Sequence, residues 1–334
     1  MAACRAPLHL LLLTMFVGEC CRGSGALPSG PSGIAPECQG PVSDLRPPQF
    51  LIISAAKTGS TSLYSYLCQH PNITCAAKSK ELNMLRNDGL KTDDEAARER
   101  TYKAYMDYGF PTLQLAPGSV TLEASIHYYH HRNARKNVAA LLPCSRLVWI
   151  LRNPVQRALS EWMHQAQKKW PKYPSYSSMM AKEVKAITRC REKFGNDWEN
   201  GFEAKDLKCL SKAPLMKWPL STGYYAHFIH AWAQEFPLQQ MHFMDYDLFK
   251  REPLTAVRNL IEFLGLPPLD NELDLTWKYN KANTRDERSM EIRKHLSLPA
   301  ELRRKIKHEL TPHVEELYRI VGQDYGWPLD DIGS

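Results

Sequence analysis

Gln49-Phe50-Leu51-Ile52-Ile53-Ser54 runs without a break into Ala55-Ala56-Lys57-Thr58-Gly59-Ser60-Thr61-Ser62 and then into Leu63-Tyr64-Ser65-Tyr66-Leu67. The opening run is apolar in the way a strand buried on both faces must be, and it is too short for a helix. The Lys/Gly/Ser/Thr stretch reads as a tight loop, and the segment after it as a helix. The backbone N–H groups of a loop so placed point at whatever sits over the helix N-terminus, which suits a phosphate or a sulfate. Lys57 adds a full positive charge, and Ser60, Thr61 and Ser62 add hydroxyls. The order differs from a Walker A loop, where the lysine follows the glycine; here it precedes Gly59.

The same unit recurs along the chain. Arg146 to Leu151 (RLVWIL) is a second apolar strand, after which Asn153 can cap and Pro154 can occupy the first turn of a helix. Val155, Ala158, Leu159, Trp162 and Met163 form one buried stripe on that helix. A third unit has the reverse order: a stripe of Tyr225, Phe228, Ile229, Trp232 and Phe236, a stop at Pro237, and a strand from Met241 to Tyr246. Leu254, Val257, Leu260, Ile261 and Leu264 give a further helix, stopped by Gly265 and Pro267-Pro268. Alternation of this kind predicts an α/β fold, a central parallel sheet flanked by helices, with ligands beyond the carboxyl ends of the strands.

The ends and the cysteines indicate a compartment. Leu8 to Val17 is apolar apart from His9 and Thr14 and is followed by small residues, including Ser24 and Ala26. The run is shorter than the roughly 20 residues a membrane span requires, so residues 1–26 read as a secretory signal peptide or, failing cleavage, a short signal anchor. Membrane association is expected only in the second case. Residues 27–48, rich in Gly, Pro and Ser, read as a flexible stem, and 49–330 as a single domain. Of nine cysteines, Cys4, Cys20 and Cys21 fall in the leader and six remain, an even set suited to disulfides in an oxidising compartment. Cys68 with Cys75 and Cys190 with Cys209 are the first pairings to test. No pair has zinc-site CxxC spacing, so no metal is expected. Asn72-Ile73-Thr74 is a glycosylation sequon. Lys and Arg total 43 against 36 for Asp and Glu, and the net charge of +7 favours anionic partners. Basic clusters at Arg132, Arg135 and Lys136 and at Arg303, Arg304 and Lys305 are candidate tracks for a polyanion.

KTGSTSLYSYL, from Lys57 to Leu67, resembles the 5′-phosphosulfate loop of the carbohydrate sulfotransferases that use 3′-phosphoadenosine-5′-phosphosulfate (PAPS), K-x-G-[ST]-[ST]-x-L-x-x-x-L. Leu151 to Ser160 (LRNPVQRALS) resembles the 3′-phosphate motif of that family, L-R-[ND]-P-x-x-R-x-x-S. The likeness continues through Gly223-Tyr224-Tyr225, Trp232, Phe236-Pro237, Phe263-Leu264-Gly265-Leu266 and Asp324-Tyr325-Gly326-Trp327. It implies a P-loop-like sulfotransferase fold, PAPS as sulfuryl donor, an anionic glycan rather than nucleic acid as partner, and residence in the Golgi lumen or secretory pathway. Lys57, Thr58, Gly59, Ser60, Thr61 and Ser62 would hold the 5′-phosphosulfate and Arg152 and Ser160 the 3′-phosphate. Arg285, in Asn283-Thr284-Arg285, would belong to a basic loop closing over the nucleotide. Lys57 would stabilise the bridging oxygen, and Glu81, in Lys80-Glu81, would be the general base.

Two departures stand out. The family's Pro-His-Phe-Phe after the glutamate is replaced by Leu82-Asn83-Met84-Leu85, and a lysine expected after Glu123 is replaced by Ala124. Glu123 and His127 are reserve bases. Leu122-Glu123-Ala124-Ser125 and Asn283-Thr284-Arg285 resemble the N-acetylgalactosamine 4-sulfate 6-O-sulfotransferase branch more than the heparan sulfate branches, which implies a chondroitin- or dermatan-type acceptor. The competing readings are a heparan sulfate-type sulfotransferase, a catalytically silent PAPS- or glycan-binding homologue, and a nucleotide kinase with a degenerate phosphate loop.

Overall fold

The structure, a computed structural model, describes residues 33–111, 116–169, 174–195, 218–269, 273–274, 290–292 and 296–330. Its centre is a five-stranded parallel sheet: β1 (Phe50–Ile52), β2 (Ile73–Cys75), β3 (Val120–Glu123), β4 (Arg146–Leu151) and β5 (Met241–Asp245), in the order β2-β3-β1-β4-β5. Phe50 lies opposite Leu122 on one side and Arg146 on the other, so β1 is the middle strand.

Successive side chains of a strand face opposite ways, and here both faces are apolar. Phe50, Ile52, Val148 and Ile150 point to one face, where α1 (Ser60–Leu67) and α8 (Pro253–Phe263) cover them with Leu63, Leu67, Val257 and Leu260. Leu51, Leu147, Trp149 and Leu151 point to the other. There they meet Val138 of α3 (Arg132–Leu141), Trp162 of α4 (Pro154–Lys169) and Phe228 and Trp232 of α6 (Tyr225–Ala233). Each such side chain contributes roughly 1.5–3 kcal/mol on leaving water. The remaining described helices are α2 (Glu95–Gly109), α5 (Tyr176–Phe194), α7 (Tyr246–Arg251) and α9 (Ala300–Val321). α9 packs against both α6 and α5.

The expected strands at 49–54, 146–151 and 241–246 are all present to within two residues. The second helix starts at Pro154 as read, with Asn153 Oδ1 accepting from the N–H groups of Val155 (2.9 Å) and Gln156 (3.3 Å).

Of the segment read as a flexible stem, residues 33–48 are instead folded against the amino-terminal ends of the strands. Cys38 is buried and disulfide-bonded to Cys144, and Arg146 Nη2 donates to the Cys38 carbonyl at 3.2 Å. Gln49, fully buried, uses its amide oxygen to accept from Thr121 N (2.7 Å) and Thr121 Oγ1 (2.7 Å) and its amide nitrogen to donate to Leu45 O (3.1 Å). A second disulfide joins Cys68, after α1, to Cys75 at the end of β2. Cys190 is also disulfide-bonded, and its expected partner Cys209 lies outside the described residues, as does the leader 1–26.

Candidate active site

β1 lies between β3 and β4, and its own continuation crosses to the sheet edge at β2, so the chain departs in opposite directions from the carboxyl ends of β1 and β4. That divergence opens a crevice, which is where open parallel sheets bind ligands. The loop after β1 enters it. Lys57 (φ 70°) and Gly59 (φ 92°) both adopt left-handed backbone. Gly59 occupies the N-cap of α1, and no side chain caps the first turn, so the N–H groups of Ser60, Thr61 and Ser62 stay open to an anion. Ser54 Oγ stands 2.7 Å from Thr58 Oγ1, 2.8 Å from Ile150 O and 3.1 Å from Ile150 N, and Thr58 Oγ1 donates to Ala55 O at 2.8 Å. These inward bonds fix the loop to the sheet. They also occupy the Thr58 hydroxyl, which leaves Thr58 only its main-chain N–H to offer a ligand.

Arg152, leaving β4, reaches across the crevice. Its Nη1 donates to the Lys57 carbonyl at 2.7 Å, and its guanidinium carbon lies 4.3 Å from the centre of the Tyr246 ring. Its Nε is buried with no partner among the described residues, a donor held ready for an acceptor from outside the protein. Tyr225 Oη donates to the Arg152 carbonyl at 2.9 Å and holds the strand end. Ser160 lies half-buried on α4.

Sequence reasoning passed over Arg157, which is 1% exposed: Nη1 donates to Ala56 O at 3.2 Å and Nη2 to Thr222 Oγ1 at 2.6 Å and to the Pro219 carbonyl. Arg157 thus holds the loop after β1 from behind. Its signal was its place as the second arginine of the Leu151 to Ser160 motif, beside an otherwise apolar helical stripe. Tyr246, beneath Arg152, had no signal beyond its place at the end of a predicted strand.

A second wall comes from the segment after β2. Lys80 Nζ contacts Glu81 Oε1 at 2.9 Å and Ser60 Oγ at 3.5 Å, and His127 Nε2 lies 3.7 Å from Glu81 Oε2. Of the two expected catalytic side chains, Glu81 contacts Lys80 and His127, whereas Lys57 feels the charges of Glu161, Arg152 and Lys168.

Glu123 is not an available base. It is fully buried, accepts from Tyr105 Oη at 3.2 Å and from Ser125 Oγ, and burial pushes its carboxyl up to about 7 against those hydrogen bonds. Its work is structural: Ser125 Oγ accepts from Asn83 N (2.8 Å) and Tyr128 Oη from Leu85 N (3.1 Å), which secures the loop that carries Glu81.

Burial sets the charges of the cleft. It lowers the Lys57 ammonium, partly offset by the carboxylate of Glu161, and it lowers His127 and His164 and takes His130 down to about 3. These three imidazoles are thus neutral at physiological pH, and among the described residues Lys57, Lys80, Arg152, Arg157 and Lys168 bring positive charge to the loop and its surroundings. Glu161, beside Ser160, shares the cleft with Ala55, Ala56, His127, His130 and Arg157 and was also missed.

Asn283-Thr284-Arg285 lies outside the described residues. The first basic cluster is split: Arg132 and Lys136 are exposed while Arg135 is buried, whereas Arg303, Arg304 and Lys305 are all exposed on α9. Among the described residues, no group of His, Cys, Asp and Glu is arranged to hold a metal ion, and no helix is long and apolar enough to cross a membrane.

Comparison with known proteins agrees with this geometry. Residues 47–323 match the model of the sulfotransferase domain. Bifunctional heparan sulfate N-deacetylase/N-sulfotransferase 1 of Caenorhabditis elegans is 27% identical over 286 residues, covering 82% of this chain and 30% of that protein. Heparan sulfate glucosamine 3-O-sulfotransferase 3B1 of Mus musculus is 23% identical over 312 residues, 88% of this chain and 70% of that protein. The chain thus spans under a third of the length of the bifunctional enzyme it matches. A crystal structure of a sulfotransferase from Alicyclobacillus acidocaldarius superposes with a TM-score of 0.57 at 22% identity, over 84% of this chain and 98% of that one, a likeness of fold. A loop after β1 with its lysine before the glycine, an arginine strand end tied to it and a family match across most of the chain lead to one statement: this protein belongs to the sulfotransferase domain family.

Proposed function

We propose that this chain transfers a sulfuryl group from PAPS to a hydroxyl of an anionic glycan and releases adenosine 3′,5′-bisphosphate (PAP). The observation that carries the reading is the convergence of two anion-binding elements, the N-terminus of α1 and the Arg152 guanidinium, whose Nε has no partner among the described residues, joined through the Lys57 carbonyl. Two such elements in one crevice suit a ligand that carries more than one anionic group.

In this reading the N–H groups and hydroxyls of Ser60, Thr61 and Ser62 bind the 5′-phosphosulfate, and Arg152 with Ser160 binds the 3′-phosphate, with Arg285 closing over it. Lys57 meets the charge that develops on the bridging oxygen. Glu81 takes the acceptor proton. Such a transfer depends on positioning and charge stabilisation, so the loop's rigid anchoring by Arg157 and Ser54 serves catalysis directly.

The curated relatives described above carry heparan sulfate in their names, which favours a heparan-type acceptor over the chondroitin or dermatan type suggested by Leu122 to Ser125. The disulfides and the leader support action in the Golgi lumen or secretory pathway, with residues 49–330 as the transferase domain. The test is incorporation of labelled sulfate from PAPS into heparan, chondroitin, dermatan and desulfated glycans by the wild type, Glu81→Gln and Lys57→Ala. Incorporation abolished by both substitutions supports the reading and identifies the acceptor class. PAPS binding without transfer to any glycan favours a silent homologue, and absence of PAPS binding removes the proposal.

A further inference from the structure

Lys80 has no place in the roles assigned so far, yet among the described residues it is the one lysine or arginine in contact with both Ser60 of the proposed donor site and Glu81, the proposed base. Its side chain is 16% exposed, its Nζ lies 2.9 Å from Glu81 Oε1, and the same Nζ lies 3.5 Å from the hydroxyl of Ser60, the first residue of α1. The main chain is fixed as well: the Lys80 carbonyl accepts from Ala124 N at 3.0 Å, so the residue is pinned to the carboxyl end of β3. An ammonium so held cannot follow solvent as a surface lysine does. It stands beside Ser60 at the α1 N-terminus, whereas the charged neighbours of Lys57 are Glu161, Arg152 and Lys168.

We propose that Lys80 is a second catalytic cation that contacts the oxygens of the transferring sulfuryl group while its ion pair holds Glu81 against the acceptor. The inference rests on the donor and base roles proposed above.

During transfer the acceptor O–H proton passes to Glu81 and the acceptor oxygen forms a bond to sulfur. The bond from sulfur to the bridging oxygen breaks, and its electron pair stays on the 5′-phosphate of the product. The bridging oxygen gains charge and is served by Lys57. The three non-bridging sulfuryl oxygens carry charge throughout and are served by Lys80. A lysine has three donors, so contact with a sulfuryl oxygen, with Ser60 Oγ and with Glu81 can be satisfied together. A partly exposed pair that served stability alone would matter little, since such pairs are commonly worth about 0–1 kcal/mol.

PAPS and PAP differ at the sulfuryl group, so their affinities isolate the contact without an acceptor. We expect Lys80→Ala, measured by titration calorimetry on the full chain, to weaken PAPS roughly tenfold or more, as loss of one charge-assisted hydrogen bond implies, and to leave PAP within about threefold. Retained PAP binding reports that the variant is folded, and Lys80→Met, which keeps the apolar stem, repeats the comparison if the alanine variant does not fold. Loss of PAPS affinity confined to the sulfuryl-bearing ligand supports the proposal. Equal effects on both ligands, or none on either, overturn it while leaving the donor assignment intact. A wild type that binds PAP and PAPS equally well overturns the sulfuryl contact, and one that binds neither overturns the donor assignment along with it.

Discussion

Arg152 Nη1 donates to the main-chain carbonyl of Lys57 at 2.7 Å, so the end of β4 and the loop after β1 are one hydrogen-bonded unit. The residue expected to hold the 3′-phosphate thereby also sets the backbone of the residue expected to serve the bridging oxygen. We expect Arg152→Ala to weaken PAP binding by about 2–3 kcal/mol, some 30- to 150-fold, because a charged donor to a phosphate is lost together with the loop's support. Arg152→Lys should recover little, since an ammonium cannot both reach the carbonyl and lie over the Tyr246 ring. Calorimetric titration with PAP measures both; full recovery by lysine would show that charge alone matters there.

Gly59 tests the loop's shape. Its φ of 92° is unfavourable for a residue with a Cβ, and an added Cβ would sit 3.3 Å from the rings of both Phe249 and Tyr246. Gly59→Ala is expected to cost about 1–3 kcal/mol of stability and to weaken PAP binding as the α1 N-terminus shifts. Chemical denaturation and PAP titration read the two effects. A variant of unchanged stability and affinity would mean that the rings move aside and that the turn tolerates a side chain.

The contrast between β1 and β2 explains how much of this could be read from the chain. Phe50 to Ile52 and Arg146 to Leu151 announce themselves because a strand covered on both faces has to be apolar throughout. The edge strand Ile73–Cys75 has three residues, one of them Thr74, and no period can be recognised in so few. The site divides in the same way. Lys57 and Arg152 stand in local motifs whose chemistry is visible in a line of residues. Glu123 read as a reserve base because a carboxylate's enclosure is not visible in a line of residues; only the fold places it between Tyr105 and Ser125. Lys80 bridging to Ser60 and Arg157 bracing Ala56 are contacts between segments 20 and 101 residues apart, which no local pattern encodes.

The disulfide between Cys38 and Cys144 closes a separation of 106 residues and lies before β4, while Arg152 lies after it. Six residues of strand, roughly 20 Å, separate the bond from the site. Replacing both cysteines by serine is expected to lower stability by about 2–4 kcal/mol through the freed unfolded chain and to leave PAP affinity within about twofold. Paired melting curves and titrations check this. A large loss of affinity would show that the strand's amino end is mechanically coupled to its carboxyl end.

Glu309 on α9 holds the outer helices and predicts a pH dependence independent of the site. Burial raises its carboxyl, but hydrogen bonds from His313, Arg191 (2.6 Å) and Tyr224 Oη (2.8 Å) outweigh this and bring it to about 2. A carboxyl depressed in the folded state stabilises the protein above its unfolded value, about 4.3, and the benefit is lost as pH falls from there through about 2. The difference corresponds to roughly 2–3 kcal/mol, at a residue 7% exposed and so little screened by solvent. Glu309→Gln should therefore cost about that much at pH 7 and only about 1 kcal/mol at pH 3, since the wild type has by then lost most of the advantage. Urea denaturation of both proteins at the two pH values, without reductant, gives the comparison. A cost that stayed constant between pH 7 and pH 3 would mean that Glu309 acts through packing and neutral hydrogen bonds, and that its charge contributes nothing to joining α5, α6 and α9.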